Sequence, residues 1–261
     1  MAKRYVIVTR SFGAEVEKPD ISSLAAWLPQ RKGRAGDLMT ILLELSLHTQ
    51  GEIDLPCGGG LFYRERLLET IGGIEGDALT HEPDVNPAHV VMDAVSLLSY
   101  NRNTWCALPA PSMLDISNRY YRDSAEFFEG LVSAYSDLMR TMRNAGIKGH
   151  VLISRQPEEI ELEELAGRRA LFFLLDPDQQ SIATLLEHQR EIAIPPSLFD
   201  SVLGLMGEFA VQKVALLDPA RGDLEQAALH MDIENLQAGG YCREECAAYW
   251  ETLSEQAYVI K

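Results

Sequence analysis

Long apolar runs are missing from this 261-residue chain. No stretch approaches the ~18 residues that a membrane-spanning helix needs, which excludes a helical span. Basic charge is scarce: 23 Lys and Arg stand against 39 Asp and Glu, a net charge of −16. Such a field repels phosphate backbones, so nucleic acid is not an expected partner. Cysteine is sparse as well, with only Cys57, Cys106, Cys242 and Cys246. The Tyr5-Val-Ile-Val8 run is too short for a signal-peptide core and no cleavage site follows. The expectation is therefore a cytoplasmic protein with four reduced thiols. Repeats, low-complexity tracts and linkers are absent, which implies one domain over 1–261 with an irregular excursion at 15–36. Gly58-Gly-Gly60 lacks the G-x-G-x-x-G spacing and no Lys-Ser/Thr follows it, so a nucleotide loop is excluded.

What is present is a clear strand, loop, helix, strand unit. Trp105-Cys-Ala-Leu108 is a short apolar run ended by Pro109-Ala-Pro-Ser112. Asp123 with Glu126 makes a capping-box start. Phe128, Leu131, Val132, Tyr135, Leu138, Met139 and Met142 then recur at helical spacing until Gly146, and Val151-Leu-Ile153 follows. A βαβ crossover implies parallel strands covered by helices. Chemistry in such folds sits in loops beyond the carboxyl ends of the strands.

Further strands are predicted at Tyr5–Val8, Glu52–Cys57, His89–Val95, Arg169–Leu175, Ile192–Ile194 and Val214–Leu217. Arg10-Ser-Phe-Gly13 reads as the first exit loop, and Gly58-Gly-Gly60 as a bend. Helices are predicted after Asp37, at Phe62–Ile71, at Glu158–Ala166, after Asp178, at Leu198–Phe209, at Leu224–Met231 and from Arg243 to Ala257. About eight strands alternating with helices favour a TIM (β/α)8 barrel, with an open doubly wound sheet as the alternative.

Several loops, taken in order, resemble the catalytic barrel of cobalamin-independent methionine synthase, in the group that includes uroporphyrinogen decarboxylase and corrinoid methyltransferases. Arg10-Ser-Phe-Gly13 is similar to its Gly-Ser-Phe-Pro loop. Gly51-Glu-Ile-Asp54 with Phe62 to Gly73 resembles its second strand and helix, and Leu108-Pro-Ala-Pro-Ser112 its Thr-Gly-Pro loop. Tyr121-Arg-Asp123 resembles the Tyr/Arg-Asp that follows that loop. Ile153-Ser-Arg-Gln-Pro157 stands where the family has Ile-Asp-Glu-Pro, and Tyr241-Cys242-Arg243 where it has Asp-Cys-Gly.

The departures point away from the family's thiolate chemistry. The resemblance implies a zinc held by a His-x-Cys pair, a Glu and a late Cys, because the metal keeps sulfur as thiolate at neutral pH. The corresponding positions read Phe172-Phe-Leu-Leu175 and Ile192-Ala-Ile-Pro195, leaving Cys242 alone. No metal is expected. Arg155 replaces the Asp of Ile-Asp-Glu-Pro, and the acid that grips the amino group is missing near Cys57-Gly-Gly-Gly60. These exchanges suit a small anionic substrate, a carboxylate or phosphate.

The candidate substrate-binding residues are Arg10, Ser11, Asp54, Cys57, Ser112, Arg155, Asp176 and Cys242; no catalytic residue is assigned. Each has a structural alternative. Arg155 would pair with Glu158, Glu159 or Asp176 instead of a ligand. Asp176 and Asp218 open Asp-Pro turns, although paired carboxylates could exchange protons. His81, Glu82 and Asp84, with His89 nearby, offer metal-ligating types that also suit a solvated loop. Cys242 and Cys246, four apart, form half a metal site with His150 or His230, a redox-sensitive pair, or inert thiols. Three functional expectations follow. The first is a diverged methyltransferase-family barrel with a small-molecule substrate and a corrinoid or folate methyl donor. The second is a non-catalytic barrel that binds a partner protein. The third is a cofactor-free lyase or decarboxylase.

Overall fold

The computed structural model describes residues 3–31, 36–167 and 169–260. Eight parallel strands carry the fold. They are β1 (Val8–Ala14), β2 (Cys57–Gly59), β3 (Trp105–Pro109) and β4 (His150–Ser154), then β5 (Ala170–Leu174), β6 (Glu191–Ile194), β7 (Lys213–Leu217) and β8 (Leu236–Cys242). The helices are α1 (Ile21–Trp27), α2 (Leu38–His48), α3 (Arg64–Thr70), α4 (Ala88–Tyr100) and α5 (Ser124–Ala145). They continue as α6 (Glu159–Leu165), α7 (Gln179–His188), α8 (Phe199–Leu205), α9 (Arg221–Ala227) and α10 (Cys246–Gln256).

The strands form two four-stranded parallel sheets, β2-β3-β4-β5 and β6-β7-β8-β1. Beside β1 the two sheets are tied by backbone bonds: Ser11 N–H donates to Leu55 O and Leu55 N–H to Thr9 O, both at 3.0 Å. A buried backbone amide without a partner is costly, so the strand edges beyond these bonds need other acceptors and donors. Gln50 supplies them at β2. Its Oε1 accepts from Cys57 N–H at 2.9 Å, and its Nε2 donates to Cys57 O at 2.8 Å. Ser46 Oγ accepts from Gly59 N–H at 2.9 Å. Gln189 does the same where β5 and β6 run side by side. It accepts from Phe172 N–H at 2.9 Å and donates to Phe172 O at 3.1 Å and Glu191 O at 2.7 Å.

Alternation along each strand divides the core in two. Phe12, Cys57, Ala107, Val151, Ile153, Leu171, Phe173, Ala193, Ala215 and Tyr241 form one cluster between the sheets. Leu152, Phe172 and Leu174, the intervening residues, pack with Tyr135, Leu138 and Met142 of α5. A buried ion pair fastens three helices. Arg66, 1% exposed, reaches Asp93 at 2.8 Å, Asp37 at 2.6 Å and Glu69 at 2.7 Å. The Tyr63 hydroxyl (2.8 Å) and the Thr40 hydroxyl (3.1 Å) also donate to Asp93.

The prediction of alternating strands and helices holds, but several elements moved. Val8–Ala14 is the first parallel strand, so Arg10-Ser-Phe-Gly13 lies within it, while Arg4–Val6 pairs antiparallel with Tyr258–Ile260. Gly13 at φ +115° allows the close approach: a Cβ there would meet Ala107 Cβ at 2.8 Å. Cys57-Gly-Gly59 is itself a strand, not a bend. His89–Val95 is helical, because Val90, Ala94 and Leu97 bury one face at helical spacing and outweigh the β-branched pair Val90-Val91. Leu236–Cys242 is the eighth strand. The excursion at 15–36 contains α1 and a short 3-10 turn at Leu28–Arg31, and 32–35 lie outside the described residues. No helix among the described residues is long and apolar enough to cross a membrane.

Two tests follow. Asp93→Ala leaves Arg66 buried with part of its charge uncompensated and is expected to cost about 3 kcal/mol or more in urea unfolding, where a loss near zero would count against the pair. Burial raises the Asp37 carboxyl, but the Arg66 guanidinium and the Thr40 N–H outweigh it and hold it at about 2, from 3.8. A depressed carboxylate stabilises the fold above its unfolded value and loses that contribution as pH falls through the folded one. Asp37→Asn should therefore flatten the stability curve between about pH 4 and pH 2.

Candidate functional site

Beyond the carboxyl ends of β5 to β8 lies a cleft of about 380 Å³. Its floor and walls are Phe173 from β5, Leu175 just past it, Pro195 after β6, Leu217 from β7 and Tyr241 from β8. Asp218, Arg243, Glu244 and Tyr249 form the polar rim. The floor is held by ring contacts: Phe12 stacks on Phe173 with centroids 5.1 Å apart, and the Phe173 and Tyr241 rings are tilted at 5.4 Å.

Two phenol–carboxylate pairs fix the rim. The Tyr241 hydroxyl donates to the Glu15 carboxylate and accepts from Leu61 N–H at 3.4 Å. The Tyr249 hydroxyl donates to Asp218, whose backbone is left-handed at φ +49°. Burial, and in each case the facing carboxylate, pushes both phenols far up. They are held as protonated donors, neither bases nor nucleophiles. The ladder between β8 and β1 shifts register between Gly240 and Cys242, next to Tyr241. A disulfide joins Cys242, at the end of β8, to Cys246, at the start of α10. This corrects the expectation of four reduced thiols: strand end and helix start fold back on one another, with Cα atoms 5.6 Å apart. Cys57 and Cys106 are free and buried, and burial pushes both thiols up.

Of the residues singled out in the sequence, Asp218 lines this cleft, while its suggested partner Asp176 and the other candidate substrate-binding residues do not. Arg10 is buried among the strands, paired with Glu191 at 2.8 Å and set against the Trp105 ring at 4.9 Å. Ser11 Oγ accepts from Gly13 N–H at 3.1 Å, between β1 and β2. Asp54 precedes β2 and accepts from the Thr9 N–H (2.8 Å) and hydroxyl (2.9 Å). Ser112 donates through its N–H (2.5 Å) and hydroxyl (2.9 Å) to Glu161. Burial raises the Glu161 carboxyl despite these donors. Arg155 and Asp176 do share a cleft, a separate one that also holds Asp178 and Ser181. Arg155 makes no ion pair among the described residues, so its expected bridge to Glu158, Glu159 or Asp176 is not formed. Asp178, the α7 N-cap, already accepts from Ser181 N–H at 2.8 Å.

No three His, Cys, Asp or Glu side chains among the described residues are grouped to hold a metal ion, and His81, Glu82, Asp84 and His89 make no such group. His150 is fully buried, where desolvation pushes it down to about 3, and His230 packs against Phe199. Neither joins Cys242. Glu15, Phe173, Tyr241, Arg243 and Tyr249 were not anticipated. The Gly239-Gly-Tyr-Cys242 run held the signal, since a glycine pair before an aromatic residue permits close packing.

No family model matches the sequence, and no curated protein does. Among solved structures, the chain is similar to a B12-independent methionine synthase from Shewanella sp. W3-18-1, described in complex with selenomethionine. The TM-score is 0.64 and the identity 13%, over 96% of this chain and 95% of that one. It is also similar to a putative vitamin-B12 independent methionine synthase from Listeria monocytogenes, with TM-score 0.50 and 13% identity over 96% and 94% of the chains. The shared feature is the α/β fold with its parallel strands.

The raised phenols make a prediction. Tyr63, Tyr135, Tyr241 and Tyr249 have folded values above the usual range, so their contribution is intact below about pH 10 and is lost as pH rises further. In a spectrophotometric titration these four of the nine tyrosines should ionise only as the protein unfolds in alkali. All nine titrating together with the circular dichroism unchanged would contradict the geometry.

Proposed function

We propose that the eight strands close into one (β/α)8 barrel, and that the chain is a diverged methyltransferase-family barrel binding a small carboxylate-bearing molecule at the C-terminal face. The observation that carries this reading is the cleft: an apolar, aromatic floor with Arg243 beside Asp218 and Glu244 at the rim. Few well-placed polar groups over an apolar floor are the usual design of a small-molecule site. An amino acid resembling selenomethionine has a carboxylate for Arg243, an ammonium for Asp218 or Glu244, and an apolar arm for Phe173, Leu175 and Leu217. Closure is supported by the order of the strands, by the bonds between Leu55 and β1, and by Gln189 at the opposite seam.

A thiolate zinc site forms no part of this reading. The positions matched to its ligands are apolar, Phe173, Leu175 and Pro195 being the cleft's own floor and walls, and Cys242 is bonded to Cys246. A corrinoid or folate methyl donor is a second molecule entering from solvent, not a resident group. The protein's residues bind, orient and exclude water; Tyr241 and Tyr249 donate hydrogen bonds and keep their protons. That last point favours one competing reading, a non-catalytic barrel that binds without reacting, since no nucleophile in the cleft is activated.

A thermal-shift screen of methionine, selenomethionine, homocysteine, folates, corrinoids and small polycarboxylates tests the proposal. A ligand at 100 times its Kd stabilises the fold by about 2.7 kcal/mol, a readily measured shift. Arg243→Ala should abolish it and Arg155→Ala leave it intact. Loss with Arg155→Ala alone would move the site to the neighbouring cleft, and no response to any ligand would favour the non-catalytic barrel.

A further inference from the structure

We propose that Cys242–Cys246 is a reversible thiol–disulfide pair whose redox state sets the shape of the cleft, with a small thiol as its electron donor. The inference rests on the reading of that cleft as the binding site. The bond lies beside the rim in sequence. Tyr241, Arg243 and Glu244 flank Cys242 in sequence, and Tyr249 lies in the first turn of the helix that Cys246 begins. Two rim residues, Arg243 and Glu244, thus lie inside the loop that the bond closes, and Tyr241 and Tyr249 flank it.

Access to the two sulfurs is unequal. Cys242 is fully buried in β8, while Cys246 is partly exposed. An incoming thiolate therefore meets Cys246 Sγ, with Cys242 as the leaving group. The thiolate attacks Cys246 Sγ, the Sγ–Sγ bond breaks, and its electron pair leaves on Cys242, which takes a proton from solvent. A second thiolate attacks the donor's sulfur in the mixed disulfide and releases Cys246 as a thiolate, which takes a second proton from solvent. Two donor thiols become one donor disulfide, and the protein gains two electrons and two protons. The other cysteines, Cys57 and Cys106, are fully buried and take no part.

Besides this bond, the first turn of α10 is held by the Tyr249 hydroxyl on Asp218, and no side chain caps it. Glu245, its N-cap residue, makes no side-chain capping bond and sits at φ +49°, a left-handed conformation that a residue with a Cβ rarely adopts. Cutting the bond lets Glu245 relax to an ordinary conformation and frees the first helical turn. Tyr249 then leaves Asp218, and the outer wall of the cleft goes with it. Glu15 N–H still donates to Cys242 O at 2.8 Å, so β8 and Tyr241 stay in place. Reduction therefore opens one wall and keeps the floor.

The test uses the full chain, air-oxidised or treated with dithiothreitol. Native alkylation with iodoacetamide should label no cysteine before reduction, and Cys246 after it. Hydrogen–deuterium exchange over 243–250 should quicken at least tenfold on reduction, with 57–109 unchanged. Cys246→Ser should exchange like the reduced protein without reductant. Labelling of Cys246 before reduction would overturn the inference, as would equal exchange over 243–250 in the two states. Exchange that responds while no ligand binds in either state upholds the switch and rejects the binding-site reading. Equal exchange with a ligand bound does the reverse.

Discussion

Every buried peptide group must find a partner, and in this fold that constraint bears hardest where strands run side by side without a continuous ladder. Two side-chain amides meet it. Gln50 and Gln189 each pair with both the N–H and the C=O of one strand residue, Cys57 and Phe172. Each follows a helix and turns back on a neighbouring strand, so helix, loop and strand edge are locked by one planar group. Phe173 follows Phe172 directly, so the same amide that completes the seam also fixes the ring forming the floor of the cleft.

Polar burial on the far side of the molecule serves a different purpose. Arg66, Asp93, Asp37, Tyr63 and Thr40 join α2, α3 and α4 into one block. Glu44 extends it by accepting from Ser96, Trp27 and Tyr100, which draws in α1. Replacing such groups with apolar ones can be neutral, whereas removing one partner is not, so the cluster acts as a unit. None of these residues lies in the cleft. The molecule separates a rigid, ion-paired flank from a rim held by two phenol bonds and one disulfide.

Much of the fold was legible in the sequence, because continuous apolar runs such as Ala170–Leu174 and amphipathic periods such as that of α5 report burial directly. The count of eight strands was reached with two errors that offset each other. His89–Val95 reads as a strand but lies in a helix, and Leu236–Cys242 was overlooked because glycines hide a strand whose neighbours pack against bare backbone. The site was less legible. Motif positions such as Ser11 and Asp54 are polar for reasons of backbone satisfaction, and spacing cannot separate that need from ligand contact. The cleft is assembled from segments between Phe173 and Tyr249, and Glu15, which fixes its Tyr241 wall, lies 226 positions from that tyrosine, each unremarkable in its own segment. Cys242 and Cys246 were visible, but only the turn between strand and helix shows that they face each other.

Gly240 has a further consequence. A Cβ at this position would collide with the Tyr249 hydroxyl, so the phenol rests directly on the main chain. The span between Tyr249 and the opposite wall is thus set by the absence of a single carbon atom. Any growth at position 240 would expel that ring outward and leave Asp218 facing water. The width of the cleft along this edge is bounded by a glycine of β8.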